Sequence, residues 1–95
     1  SEVEQVIWSH PAVQDCAVIG VPDETWGEAM KAVVELNAGQ QASADELIAL
    51  CKEKLGSVKA PKTIDFVDAL PRSPVGKVLK KDLRAKYWQQ TARRI

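Results

Sequence analysis

Ala17-Val18-Ile19-Gly20-Val21, Pro22-Asp23-Glu24 and Met30-Lys31-Ala32-Val33-Val34-Glu35-Leu36 are the stretches that set the fold class. The first is a short apolar run rich in β-branched residues and reads as a buried strand. A proline followed by two acidic residues is turn chemistry. The third stretch is a second strand, closed by Asn37-Ala38-Gly39. Further along, Thr63–Val67 alternates and reads as a third strand.

Helical patterns surround these strands. Val3, Val6 and Ile7 fall at helical spacing behind Ser1, a candidate N-cap with Glu4 three residues on. His10-Pro11 ends that helix, because proline pushes the preceding residue out of helical geometry. Ser43 and Glu46 form a second capping pair, ahead of an apolar stripe of Leu47, Ile48, Leu50, Cys51 and Leu55 and a stop at Gly56. A last helix over about 80–88 carries Leu83, Tyr87 and Trp88 inward, with 89–95 expected to fray. Helices interspersed with strands predict a small α+β fold, or an α/β sandwich: one sheet of about three strands with helices packed on it.

Ninety-five residues suffice for one domain with a modest core, and not for a core plus an enclosed active site. No apolar run approaches the roughly 18 residues of a membrane span, and no secretory leader precedes the first helix. Opening directly in a helix suggests an excised fragment. Cys16 and Cys51 have apolar neighbours and no CxxC partner, and His10 is the only histidine, which argues against zinc. Two reduced, buried thiols in a cytosolic protein are expected.

Net charge is zero but unevenly spread. Residues 1–71 hold 5 of the 13 basic and 12 of the 13 acidic groups, a balance of −7, and residues 72–95 carry the opposite +7. The basic end either faces something anionic or is a solvated helix face and tail.

Candidate chemistry concentrates in Leu70-Pro71-Arg72-Ser73-Pro74-Val75-Gly76-Lys77. Gly76 lets the backbone approach a ligand closely, and the two prolines restrict the loop. A loop lysine suits phosphate or carboxylate oxygens. A Walker loop is excluded, since Pro71 stands where its first glycine is needed. By itself the Gly-Lys pair reads as ordinary surface. His10 reads as a cap or surface residue, Trp8, Tyr87 and Trp88 as core, and Asp23 and Glu28 as turn and strand-end residues. Arg72, Lys80, Lys81 and Arg84 read equally as steering charges for an anion and as solvated charge.

The run from Leu70 to Arg84 closely resembles the terminal signature of the adenylate-forming acyl-CoA synthetases, roughly LPRTxxGKVLKxxLR. Glu2-Val3-Glu4, His10-Pro11-Ala12-Val13, Ala17–Asp23, Trp26-Gly27-Glu28, Ala44–Ile48 and Lys59-Ala60-Pro61-Lys62 follow the family in order and spacing, so the resemblance spans essentially the whole chain. It implies residues 1–95 as the C-terminal lid of an AMP-forming acid–thiol ligase. A large N-terminal domain would then be its partner, and the hinge would lie before Ser1. By itself the chain is expected to be inactive.

The implied reaction has two steps. A carboxylic acid, a fatty acid by default, attacks ATP to give an acyl-adenylate. The thiol of coenzyme A then displaces AMP, with a carrier-protein thiol as the other option. The resemblance implies Lys77, beside Gly76, as the catalytic residue of the first step, and Mg²⁺ held mainly by the N-terminal domain. For the thiol step it implies the loop matching Val21–Glu28, whose Trp26 lines the pantetheine channel or, equally on residue type, packs beneath the loop as core. The connector Val58–Lys62 would contact the coenzyme A nucleotide. Val58 and Ala60 replace the family's aromatic and arginine there, leaving Lys59 and Lys62 as the positive groups. The alternative is a non-enzymatic module whose basic end binds nucleic acid or a partner protein. Nucleic acid is disfavoured, because the first 71 residues are acidic and the aromatics do not interleave with Lys and Arg.

Overall fold

The computed structural model of the protein describes residues 1–93, with side chains as far as Gln89. Three helices and three strands alternate as α1 (Glu2–Trp8), β1 (Val13–Asp23), β2 (Gly27–Leu36), α2 (Ala44–Leu55), β3 (Thr63–Val67) and α3 (Lys80–Arg93). The sheet order is β1-β2-β3. β1 and β2 are antiparallel, as a three-residue connection allows. β2 and β3 are parallel, and α2 supplies the crossover that a parallel pair requires.

Strand side chains alternate between two faces, and each face has its own core. Cys16, Ala32, Val34 and Ile64 meet Ile7 of α1 and Leu47 and Cys51 of α2. Ala17, Ile19, Val21 and Val33 meet Leu70 and Leu83 on the α3 side. A register irregularity between Val13 and Asp15 lets odd-numbered Val13 join the even-numbered face. The expected architecture is therefore present: one three-stranded sheet covered on both sides.

Both capping boxes form. Glu4 N–H donates to Ser1 Oγ at 3.3 Å, and Glu46 N–H to Ser43 Oγ at 3.0 Å. His10 Nδ1 accepts from Ala12 N–H, which leaves its Nε2 to donate to Glu46 at 2.6 Å. Its role is to tie α1 to α2.

Several expectations need correction. β1 starts at Val13, where Ala17 was expected, and runs through Pro22 and Asp23, where a turn was expected. The reason lies at its outer edge, which no strand covers. Gln14 C=O accepts from Trp8 Nε1, Cys16 N–H donates to Asp15 Oδ1, Val18 N–H to Glu4 Oε2, and Gly20 C=O accepts from Trp88 Nε1. Side chains thus take the place of a neighbouring strand. Pro22 continues this even-numbered edge series, where a missing N–H breaks no ladder bond.

The same contacts overturn the core assignment of Trp8 and Trp88. Trp8 keeps 60% of its surface exposed and Trp88 is half-buried, because each holds its indole N–H over an edge carbonyl. Tyr87 is half-buried as well, its hydroxyl donating to Asp65 at 2.6 Å. α3 continues to Arg93 where fraying from 89 was expected, and residues 94–95 lie outside the described residues. No described helix is long and apolar enough to cross a membrane.

Candidate functional site

The loop carrying Lys77 is a second, short hairpin. Leu79 N–H donates to Pro71 C=O at 2.8 Å, Ser73 N–H to Lys77 C=O at 2.8 Å, and Arg72 bridges Val78 antiparallel. Its turn closes through Gly76 N–H to Ser73 C=O at 2.8 Å, with Pro74 at the position where its fixed φ fits best. Gly76 then takes φ +86, the left-handed geometry of a three-residue hairpin loop. Nothing lies within 4 Å of where its Cβ would stand. Glycine is favoured here by backbone conformation, and the space beside it is open. Lys77 stands exposed beside it, and no ion-pair partner of its ammonium exists among the described residues.

The β1–β2 hairpin ends in the other candidate. Asp23 Oδ2 accepts from Trp26 N–H at 2.9 Å, fixing the turn, and Gly27 at φ +79 follows. Trp26 is 73% exposed, so the core alternative fails. Unlike Trp8 and Trp88, its indole N–H caps nothing among the described residues. Lys62 is brought to the same place. Its Nζ sits 5.7 Å from the centre of the Trp26 ring and 3.9 Å from Asp23, held there by Lys62 N–H donating to Met30 C=O at 2.9 Å. Trp26 and Lys62, 36 positions apart, form one exposed patch. Val58 is fully exposed.

The two tips are fastened at different points of the fold. The short hairpin is fastened at the Asp15–Glu35 pair of the β1–β2 ladder, and the Trp26 turn begins after Asp23–Gly27. Eight residues at about 3.4 Å each separate these points by roughly 27 Å along the ribbon.

The charge asymmetry has a structural origin that the sequence did not disclose. Arg72 pairs with Asp15 and Glu35, each at 3.0 Å, Lys80 with Glu4 at 2.6 Å, and Arg84 with Glu28 at 3.1 Å. Much of the anionic partner of the basic end is the acidic part of the same chain. Among the described side chains beyond position 71, Lys77, Lys81 and Lys86 are the basic ones left out of these pairs. The uneven charge distribution was the available signal, but it could not say which pairs form.

Other chemistry is poorly served. Burial pushes the Cys16 thiol up to about 12 and raises Cys51 too, so neither supplies a thiolate nucleophile. Among the described residues, no group of three or more His, Cys, Asp or Glu could hold a metal ion. Two open grooves of about 520 and 700 Å³ flank Phe66–Asp68 and contain neither Lys77 nor Trp26.

Residues 2–77 match the model of the AMP-binding enzyme C-terminal domain, ending on the candidate lysine. The chain is 40% identical, over all of its length, to a fatty acid–[acyl-carrier-protein] ligase of Streptomyces coeruleorubidus. It is 45% identical over 99% of its length to a medium/long-chain-fatty-acid–CoA ligase of Mycobacterium tuberculosis. The acyl-CoA synthetase of Brucella canis superposes on 95% of the chain with a TM-score of 0.86 and 38% identity. The chain spans 18%, 18% and 17% of these three proteins respectively. With matching fold, hairpins and sequence, this chain belongs to the AMP-binding enzyme C-terminal domain family, the C-terminal module of adenylate-forming acyl-CoA ligases.

Proposed function

We propose that the domain serves as the C-terminal lid of an ATP-dependent acyl-CoA ligase, presenting Lys77 for adenylation and the Trp26 tip for thioester formation. A larger N-terminal domain would hold the acid, ATP and any Mg²⁺. One observation supports the reading: two exposed tips, fastened near opposite ends of one ribbon, each display a side chain that lies outside the core of the described residues.

Negative charge accumulates where the acid's carboxylate approaches the α-phosphorus of ATP. The carboxylate is itself the nucleophile, so no general base is required, and an oriented cation is what this step lacks. The Lys77 ammonium, without an ion-pair partner among the described residues, supplies that charge and stabilises the transition state more than the ground state. In the second step the Trp26 ring packs along the pantetheine arm of coenzyme A, with Lys62 beside it for a phosphate oxygen. The two tips are fastened at points roughly 27 Å apart along the ribbon, so the domain would turn between half-reactions to bring each to one reaction centre.

Replacing Lys77 by Ala in the full-length ligase tests this. Adenylate formation should fall by about two or more decades, the usual cost of removing an oriented electrostatic group. Thioester formation from supplied acyl-adenylate should persist. Equal loss in both half-reactions would remove Lys77 from its assigned step.

A further inference from the structure

We propose that Arg72 is a positioning residue for Lys77, clamped by Asp15 and Glu35, and not a steering charge for ATP. The inference rests on the adenylation role given to Lys77 above.

A nine-residue hairpin has little stability of its own, so its direction must come from anchors, one of them Val78 packed against the core around Leu70 and Leu83. Arg72 is the charged anchor of the hairpin. Its backbone bridges Val78, the residue after Lys77, and the ladder bond from Ser73 N–H to Lys77 C=O lies next to that bridge. The guanidinium reaches out from the hairpin with two nitrogens on two separate strands. Nη2 donates to Asp15 Oδ2 on β1, and Nη1 to Glu35 Oε1 on β2, both at 3.0 Å.

Both acceptors are themselves fixed. Asp15 Oδ1 takes Cys16 N–H at 2.8 Å, and Glu35 Oε1 also takes Leu70 N–H at 2.9 Å. One carboxylate of β2 therefore holds the entry of the hairpin by main chain and side chain at once. Arginine's planar fork is suited to spanning two carboxylates in this way, and a lysine, a point charge on a flexible stem, fixes the direction less well.

Charge separates the two roles. Arg72 with Asp15 and Glu35 is a cluster of one cation and two anions, with a net charge of −1. Such a cluster does not attract a polyphosphate. Steering would require Arg72 to be unpaired.

The test uses the full-length ligase with Glu35→Gln, Arg72→Ala and Arg72→Lys, and Lys77→Ala as reference. Single-turnover adenylate formation is followed against ATP concentration, and thioester formation is followed from supplied acyl-adenylate. Glu35→Gln and Arg72→Ala should each lower the maximal adenylation rate by about tenfold to a hundredfold, the scale of a reactive group displaced by about 1 Å. The ATP concentration giving half-maximal rate should stay where it is, and so should the thioester step. Arg72→Lys should recover part of the rate.

A steering arginine gives the opposite pattern. Arg72→Ala would then weaken ATP binding, more so at low salt, while Glu35→Gln would leave ATP binding intact or tighten it. That result overturns the proposal, and so does loss of both half-reactions together, which would mark a merely structural contact. Unchanged adenylation in Arg72→Ala beside a crippled Lys77→Ala overturns it as well. An active Lys77→Ala is the distinct failure of the underlying reading.

Discussion

The molecule displays its two candidate residues on two hairpins that obtain their rigidity in different ways. The β1–β2 hairpin is held by ten paired positions, and its outer edge is closed by Trp8, Asp15, Glu4 and Trp88. The short hairpin has a brief ladder and is fastened by charged side chains at each end, Arg72 and Lys80. The tips nevertheless follow one rule. Trp26-Gly27 and Gly76-Lys77 each set the displayed side chain beside a glycine of positive φ. A side chain that the core does not need can be held up by either construction, and functional specialisation then follows from which end of the ribbon it occupies.

The strongest way to break this comparison is to remove Trp26. Trp26→Ala should slow thioester formation in the full-length ligase by about tenfold, equivalent to ~1.4 kcal/mol of lost contact, and leave adenylation unchanged, the mirror image of Lys77→Ala. Its effect on stability should stay within about 0.5 kcal/mol, as for an exposed side chain without structural duty. A thermal melt that drops sharply would return Trp26 to the core.

Trp88→Phe probes the other kind of tryptophan. The ring is kept and the N–H lost, so Gly20 C=O loses its donor at the β1 edge. A cost of about 1–2 kcal/mol is expected in denaturant unfolding. Trp26→Phe measured alongside should cost nearly nothing. Equal costs would erase the distinction between capping and displayed tryptophans.

Next come the two glycines. With nothing within 4 Å of either Cβ position, Gly27→Ala and Gly76→Ala introduce conformational strain and no clash. About 1 kcal/mol each is expected, the penalty of left-handed geometry for a side chain with a Cβ. The functional consequences should differ: Gly76→Ala should lower adenylation, and Gly27→Ala thioester formation. A shared defect would argue that the tips are not independent.

How much of this was legible depends on whether the controlling interaction is local. Ser1-Glu4 and Ser43-Glu46 announce helix starts because a capping box closes within four residues. Met30–Leu36 and Thr63–Val67 announce strands because their apolar pattern is local too, although β2 begins earlier, at Gly27. Residues Gln14 and Asp15 hide the start of β1, because what makes them strand is an antiparallel partner and caps supplied from elsewhere. The pairing of Arg72 was hidden for the same reason. Its carboxylates lie 57 and 37 positions away, and no sequence pattern pairs them. Trp8, Trp26 and Trp88 look alike as residues, and only the geometry of the indole N–H separates the two that cap from the one that is displayed. Lys77 and Trp26 were found through family resemblance, and their half-reaction roles stand as the proposal above.

The smallest effect concerns acid and the downstream anchor of the short hairpin. Burial pushes Glu4 up, but the Lys80 ammonium at 2.6 Å and Val18 N–H at 2.8 Å outweigh it, holding the carboxyl below its ordinary value of 4.5. A carboxyl with a depressed native pKa is protonated first in the unfolded chain, so its contribution is complete above pH 4.5 and drains away as pH falls through the lower native value. Asp65 behaves alike, since Tyr87 and Lys31 outweigh its burial, and so does Glu46 beside His10. Urea midpoints should therefore fall from pH 6 to pH 3.5. Glu4→Gln keeps an acceptor for Val18 N–H and cannot titrate, so it should lower the midpoint at pH 6 and shrink the drop on acidification, with Asp65 and Glu46 supplying what is left. A drop as steep as in the unaltered chain would mean that the Glu4–Lys80 pair contributes nothing that acid can remove, leaving Arg72 as the principal charged anchor of the lysine hairpin.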